Sequence, residues 1–277
     1  FASNIYLINY SQELRVYSFV FFLSSLYLYL FFRIYKFFKT ENLNFFYFTL
    51  LSFSLVLMLI SHPFCYIVFF STSVFLLIEF FFKKRISKTL KYNLVFGVIF
   101  SSVYLFFLLE KNGQSPSWIL QPDLKFYTNF YFSKFFGSRL LGIIHLIILV
   151  SLSFYLWKKI VYNKKIIFLY IMLFLSYFVP LIYGYFLKPI IFPRYIMFVL
   201  IPIILIISIL VFYLENKNLR KFLIFFLVFI NLGNHLTEST FKQFFNERKK
   251  FKPDFIGAFE IINSSETNNV ILYREKG

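Results

Sequence analysis

The sequence predicts an all-α polytopic membrane protein with about eight transmembrane helices. Hydrophobic residues make up 60% of its 277 residues, and the mean hydropathy is +0.73, which is more than a soluble protein of this length can bury. Its apolar stretches match the roughly 17 to 25 residues that cross a hydrocarbon core about 30 Å thick, and their continuous character excludes the alternation of barrel strands. The stretches span 16–32, 45–61, 64–82, 92–109, 138–157, 166–187, 195–214 and 219–236.

The basic residues that give the formal charge of +17 are distributed according to the predicted topology. Four alternate loops hold 15 of the 29 basic residues, whereas the opposite side, without the long C-terminal tail, holds seven. By the positive-inside rule the Lys/Arg-rich loops are cytoplasmic, so we expect both ends of the chain to lie outside the cytoplasm. Because the cations are distributed among loops, the charge does not indicate a surface that binds nucleic acid.

The chain divides into two predicted parts. Residues 1–236 form the transmembrane domain, and residues 237–277 are a mixed, polar tail that begins a small extracytoplasmic domain. No positively charged region and cleavage site precede the first span, so we expect further spans before Phe1. The single cysteine, Cys65, lies in a span and excludes an intrachain disulfide.

Polar residues gather where the spans meet the predicted outer surface. Glu13 and Arg15 precede the first span, and Glu13 shares a helical face with Tyr17 four residues later. Charged groups beside spans are costly, so this group is a candidate site. The alternative is an interfacial cap, with an acid at the positive end of the helix and an aromatic anchor.

Two further outer segments carry candidate ligands. His62 lies in the turn between the second and third spans, where it either hydrogen-bonds a sugar or phosphate or is simply solvated. Lys188 and Arg194 flank the loop before the seventh span. A cation at a helix N-terminus, which is already partly positive, favours an anion such as phosphate. The alternative for Arg194 is that its guanidinium reaches lipid headgroups.

Two polar residues inside spans are expected to be structural. Glu79 precedes Lys83 by four residues, a spacing that predicts an ion pair on one helix face. His145 is expected to pack against the bundle rather than to act in catalysis. The sequence contains no metal-ligand cluster, nucleotide loop or hydrolase triad, so it predicts no cofactor.

The order of these features resembles bacterial GT-C glycosyltransferases of the dolichyl-phosphate-mannose protein mannosyltransferase type. Residues 12–18 (QELRVYS) resemble the family's Q-E-A-R-x-Y-(S/A) segment at the outer start of an early span. Residues 61–63 (SHP) resemble its (T/S)-H-(P/Y) turn two spans later. Residues 192–198 (FPRYIMF), with Pro202, resemble its R-Y-(L/I)-x-(F/P)-x-x-P late span, and residues 252–255 resemble the passage into its extracytoplasmic domain.

The resemblance implies a membrane enzyme that moves a hexosyl or pentosyl group from a polyprenyl-phosphate carrier to a glycan, lipid or protein acceptor on the extracytoplasmic side. The family's principal acidic residue lies in a first outer loop that has no counterpart here, which implies an N-terminally truncated chain. The implied partners are the lipid-linked donor, the acceptor and membrane lipids. The implied catalytic residues are Glu13 and Arg15, and the implied substrate and phosphate ligands are Arg194, Lys188, His62 and Tyr17.

Two other classes stay open. A transporter or flippase for lipid-linked sugars would place charged residues and broken helices near the middle of the membrane. A polymerase or ligase of the O-antigen type would share the basic residues at the outer face and differ in the order of its motifs. The concentration of polar groups at one face favours chemistry at the membrane surface. A purely structural protein would leave Glu13 and Arg194 without a role.

Overall fold

The structure is a computed structural model that describes residues 4, 7, 16–37, 44–83, 86–111, 133–186 and 193–235. These residues are 91% helical and contain no strand, which confirms the all-α class. The predicted tail, 237–277, lies outside the described residues. Contacts divide the chain into Phe1–Asn231 and Leu232–Gly277, and of the second unit only the last residues of a helix, 232–235, are described.

A helix covers each of the eight predicted apolar stretches. The second stretch, 45–61, agrees with the helix at both ends, because Asn44 caps it by accepting a hydrogen bond from the Tyr47 amide and Pro63 follows its end. The elements are α1 Val16–Phe37, α2 Phe45–Ser61, α3 Cys65–Lys83, α4 Lys88–Lys111, α5 Ser133–Phe136, α6 Arg139–Tyr155, α7 Trp157–Val161, α8 Lys164–Phe186, the 3₁₀ segment Pro193–Val199, α9 Leu200–Phe212 and α10 Lys217–His235.

Four segments of the described chain are long and apolar enough to cross a membrane. They are Val16–Tyr35, Cys65–Phe82, Lys164–Phe186 and Tyr195–Phe212. The helices α2 and α6 are apolar as well, but each has 17 residues, about 25 Å of helix. The described part of the chain is therefore helical, with four candidate membrane-spanning helices, where the whole sequence predicts about eight.

The seventh predicted span is not one continuous α-helix. Its first part is the 3₁₀ segment, in which Ile196 has non-helical backbone angles, and α9 begins only at Leu200. The cause lies in Pro202, which has no N–H to donate to the Phe198 carbonyl and whose ring would clash with that carbonyl in an α-helix. Pro202 is tolerated in the first turn of α9, where no such bond is required.

The interior is built around α9, which packs against α6, α8 and the 3₁₀ segment. Helix α1 packs along α2, α2 along α4, and α3 along α8. Phe31, Phe75 and Phe168 bring α1, α3 and α8 together, with ring centroids 5.3 to 6.3 Å apart. Such ring contacts are specific packing interactions, so these phenylalanines are structural although the chain is rich in Phe throughout.

Helix α4 approaches its neighbours closely at Gly97. A Cβ atom added there would lie 2.9 Å from Leu55 Cδ2 of α2 and would overlap the ring of Phe69 on α3. Small residues at helix contacts let backbones approach, which is how helices in an apolar medium gain packing energy. Gly97 therefore sets the distance of α4 from α2 and α3.

The chain passes repeatedly between two ends of the bundle. The first, here called the His62 end, contains the start of α1, the turn between α2 and α3, and the 3₁₀ segment. The second, called the Lys164 end, contains the ends of α1 and α3 and the start of α8. This alternation agrees with the predicted order of the loops.

Candidate functional site

The His62 end brings three of the predicted segments into contact. The ring centroids of Tyr17 and His62 lie 5.8 Å apart, those of Tyr17 and Tyr195 5.9 Å, and those of His62 and Tyr195 5.2 Å. Phe64 completes the group, 5.6 Å from His62 and 5.7 Å from Tyr195. We call these four residues the aromatic cluster. All four are half-buried, so the cluster is part of the surface of the bundle.

The turn that carries His62 is fixed by its own backbone. Pro63 prevents α2 from continuing, and His62 adopts an extended conformation (φ −162°, ψ 135°). The carbonyl of His62 then accepts a hydrogen bond from the Cys65 amide at 3.0 Å, and that of Pro63 from Tyr66 at 3.1 Å. These bonds begin α3 directly after the turn and hold the His62 ring between α1 and the 3₁₀ segment.

His62 is a neutral hydrogen-bond donor at physiological pH. The Phe64 amide donates to His62 Nδ1 at 3.3 Å, which requires Nδ1 to be unprotonated and places the ring proton on Nε2. Burial lowers the pKa of His62 to about 4, because desolvation penalises the charged ring. His62 can therefore donate from Nε2 to an oxygen of a ligand, but it does not contribute a positive charge.

His62 is expected to make the protein less stable in mild acid. The unfolded state binds a proton on this ring near its ordinary pKa of 6.5 and the folded state only near 4, so stability falls as the pH drops from about 6.5 towards 4. Thermal unfolding in detergent at pH 7 and pH 5 measures this loss. The variant His62→Gln should lose about 1 to 2 kcal/mol less than the wild type between these values. Equal losses would show that His62 does not titrate as inferred.

The other predicted site residues are only partly described. The backbone of Arg194 lies in the 3₁₀ segment next to Tyr195, so its chain position belongs to the His62 end. The side chain of Arg194 lies outside the described part of the structure, as do Glu13, Arg15 and Lys188. The structure thus brings Tyr17 and His62 together and places the main chain of Arg194 beside them.

His145 has a structural environment, as the sequence predicts. It is 5% exposed, and the ring of Phe136 stacks on it with the centroids 3.9 Å apart. Its Nδ1 lies 2.8 Å from the Leu141 carbonyl and its Nε2 3.1 Å from Asn231 Nδ2. Because the amide nitrogen of Asn231 donates, the ring accepts at Nε2 and donates from Nδ1. Both nitrogens are satisfied by a neutral ring.

Asn4 is a structural residue that the sequence does not single out. It is 4% exposed, its Nδ2 donates to the Phe135 carbonyl at 2.9 Å, and its Oδ1 accepts from the Leu7 amide at 3.1 Å. The two bonds tie residue 4 to α5, 131 residues along the chain. A local pattern gives no sign of such a contact, since Asn is frequent in this sequence.

Glu79 has partners on two other helices that its spacing does not predict, and the side chain of Lys83, its predicted partner, lies outside the described residues. The sequence pairs it with Lys83 on the same helix, but in the structure Glu79 binds Lys164 Nζ of α8 and accepts a hydrogen bond from Tyr35 Oη of α1 at 2.8 Å. Glu79 is 6% exposed, because its position on α3 faces these two helices. The sequence gives no sign of these two contacts, since helical spacing gives a residue's neighbours on its own helix and not the face that other helices cover.

The described residues contain no group of three His, Cys, Asp or Glu side chains that is arranged to hold a metal ion. Comparison with protein-family models, curated proteins and solved structures finds no match to the chain. The resemblance to the GT-C glycosyltransferases therefore stays a prediction from the sequence, and the geometry of the His62 end is the structural observation that bears on function.

Proposed function

We propose that this chain belongs to a membrane glycosyltransferase, which moves a sugar from a polyprenyl-phosphate carrier to a glycan, lipid or protein acceptor at the extracytoplasmic face. One observation supports this most directly. Tyr17, His62 and Tyr195 come from the three segments that resemble the family, and their rings are in contact at one end of the bundle. The segments are far apart in sequence, so their meeting is not a consequence of local structure.

The chemistry of such a transfer matches the residue types of these segments. The acceptor hydroxyl attacks the anomeric carbon, the bond from that carbon to the carrier phosphate breaks, and a carboxylate takes the hydroxyl proton. In this proposal Glu13 assists the proton transfer, and Arg15, Lys188 and Arg194 stabilise the leaving phosphate. His62 adds a neutral donor, which can hydrogen-bond a sugar hydroxyl without competing for the phosphate charge.

The half-buried rings of the aromatic cluster suit the same ligand. A sugar presents an apolar C–H face together with polar hydroxyl edges, and binding sites commonly combine aromatic surface with a few placed polar groups. The rings of Tyr17 and Tyr195 offer the aromatic surface, and His62 Nε2 offers a polar group that can hydrogen-bond a hydroxyl. In this proposal the cluster contacts the sugar while the arginines contact the phosphate.

The proposal includes a topology in which all eight predicted apolar stretches cross the bacterial inner membrane with the His62 end outside. The loops at the Lys164 end are rich in Lys and Arg, which favours the cytoplasm for that end. Helix α4, with 24 residues, is about 36 Å long and is able to cross. Large apolar side chains such as Val98 and Ile99 are exposed on α4 and would face lipid.

Reporter fusions test this topology. A cytoplasmic reporter such as green fluorescent protein should be active at the Lys164 end and inactive at the other, while a periplasmic phosphatase should show the reverse. Opposite signals at two or more positions would contradict the orientation, and with it an extracytoplasmic site. The cytoplasmic positions are Lys39, Lys88, Lys164 and Lys221, and the external ones are Asn112 and Ser264.

Substitution of Glu13 tests the enzymatic role. In membranes supplied with a polyprenyl-phosphate sugar and acceptor, Glu13→Gln should lower transfer at least about tenfold, because the amide keeps the shape of the side chain but cannot take a proton. The matched control is Glu215→Gln, which removes a carboxylate from the Lys164 end and should leave transfer unchanged. Unchanged turnover in Glu13→Gln, at equal protein levels, would show that Glu13 takes no part in transfer and would favour its alternative role as a helix cap.

A transporter for lipid-linked sugars is the second candidate. Pro180 lies inside α8, and the 3₁₀ segment interrupts the seventh stretch; interrupted helices are typical of transporters. The buried carboxylate in α3 is, however, paired at the Lys164 end rather than near the middle of a helix. Product analysis separates the two functions, since a transferase forms a new glycosidic bond and a transporter moves the lipid-linked sugar unchanged.

A further inference from the structure

A cavity of about 530 Å³ opens at the Lys164 end, on the opposite side of the bundle from the aromatic cluster. Residues of the connection between α6 and α8 line most of it, including Lys159, Asn163 and Lys165, and Tyr213 closes it from the end of α9. All of these residues belong to the unit Phe1–Asn231. The cavity takes no part in the function proposed for the His62 end.

The groups available to a ligand in this cavity are hydrogen-bond donors. Asn163 Nδ2 donates to Tyr213 Oη, so the hydroxyl of Tyr213 keeps its own hydrogen for another acceptor. Asn163 Oδ1 accepts from the backbone amides of Lys165 and Ile166 at 3.0 and 3.4 Å. The amides that open α8 are thereby occupied, and the binding capacity of the cavity lies in its side chains.

The lining also has an excess of positive charge. Lys159 pairs with Glu215 at 2.8 Å, and Lys164 pairs with Glu79. The third ammonium, that of Lys165, has no carboxylate partner among the described residues and is exposed. Because the two nearby carboxylates already bind Lys159 and Lys164, the Lys165 ammonium and the Tyr213 hydroxyl are the donors that remain for a ligand.

We propose that this cavity binds a phosphate group, carried by an anionic phospholipid headgroup or by a soluble phosphate ester. Phosphate is an acceptor-only anion with several oxygens, which suits a lining of Lys ammoniums and a Tyr hydroxyl. Basic pockets between helices on the cytoplasmic side of a membrane are typical sites for anionic headgroups, and the lysine-rich loops place this end there. The proposal rests on the orientation proposed above for the Lys164 end, but not on glycosyl transfer at the His62 end.

Lipid binding measured by native mass spectrometry tests whether an anionic phospholipid carries the phosphate group. The purified protein in detergent is titrated with dioleoylphosphatidylglycerol and, in parallel, with zwitterionic dioleoylphosphatidylcholine. We expect tighter binding of the anionic lipid and an about tenfold loss of that binding in Lys165→Ala, which removes one charge-assisted contact. The matched control is Lys158→Ala, which removes an equally exposed charge next to Lys159 but outside the lining, and should change binding less than about twofold.

Tyr213→Phe distinguishes a specific binding site from nonspecific electrostatic attraction of the anion. It leaves the charge unchanged and removes one donor, so binding of phosphatidylglycerol should weaken about threefold. For a soluble phosphate ester, thermal unfolding is followed with added glycerol 3-phosphate, which should stabilise the wild type and Lys158→Ala but not Lys165→Ala. A response to either probe that depends on Lys165 supports the site and identifies its source. Equal losses in Lys165→Ala and Lys158→Ala, or no dependence on Lys165 with either probe, would overturn the proposal.

Discussion

Lys164→Met is expected to lower the free energy of unfolding by about 3 kcal/mol, the largest loss from a single substitution at the Lys164 end. The change removes the Lys164 ammonium from the Glu79 carboxylate, whose side chain is 8% exposed. Removal of one partner of a buried ion pair costs about 3 to 5 kcal/mol, because the remaining charge stays desolvated. Tyr35 still donates one hydrogen bond to Glu79, which places the expected loss at the lower end of this range.

A second pair at the same end provides the control. Lys159 and Glu215 lie 2.8 Å apart, but their side chains are 43% and 86% exposed, so Glu215→Gln should lower the free energy of unfolding far less than Lys164→Met. Unfolding of the variants in detergent by heat or denaturant measures both losses. Glu79→Gln combined with Lys164→Met should recover much of the stability, since no charge is then buried unpaired. If Lys164→Met and Glu215→Gln lower the free energy of unfolding equally, the ion pair of Glu79 does not contribute as a buried pair should.

Arg194→Ala is expected to weaken productive donor binding about ten- to a hundredfold. In the proposed enzyme the guanidinium holds the phosphate of the lipid carrier, and charge-assisted contacts contribute about 1.5 to 3 kcal/mol. The main chain of Arg194 lies beside Tyr195 of the aromatic cluster, which places the substitution at the proposed site. Transfer measured over a range of donor concentrations, at saturating acceptor, gives the effect.

Two variants sharpen this measurement. Arg194→Lys should recover only part of the donor binding, because an ammonium keeps the charge but not the planar, two-pronged donor geometry. Arg220→Ala removes a half-buried arginine at the start of α10, near the opposite end, and should leave donor dependence unchanged. A change in acceptor dependence alone would assign Arg194 to the acceptor site and contradict its role with the carrier phosphate. Monodisperse behaviour in detergent checks that each variant is folded.

The helical class and the positions of most helices could be predicted because they depend on local properties. A long apolar run in lipid must satisfy its backbone hydrogen bonds internally, and the helix does this within one segment. The stretch 45–61 matches α2 at both ends for this reason, with Asn44 and Pro63 as local signals. The seventh stretch is also helical and long enough to cross a membrane, but its start is a 3₁₀ segment, because hydropathy does not register the hydrogen-bond donor that Pro202 lacks.

The sequence by itself determined that the chain is helical. It also predicted that Tyr17, His62 and Tyr195 lie at ends of apolar stretches that face the same side of the membrane. Only the tertiary structure decided that their rings touch, that the His62 ring is neutral with its proton on Nε2, and that Glu79 binds Lys164 of another helix. The physical reason is the range of each interaction. Hydropathy and capping act over one helical turn or one span, whereas the burial that shifts the His62 pKa and the pairing of Glu79 with a residue 85 positions away arise only when helices pack.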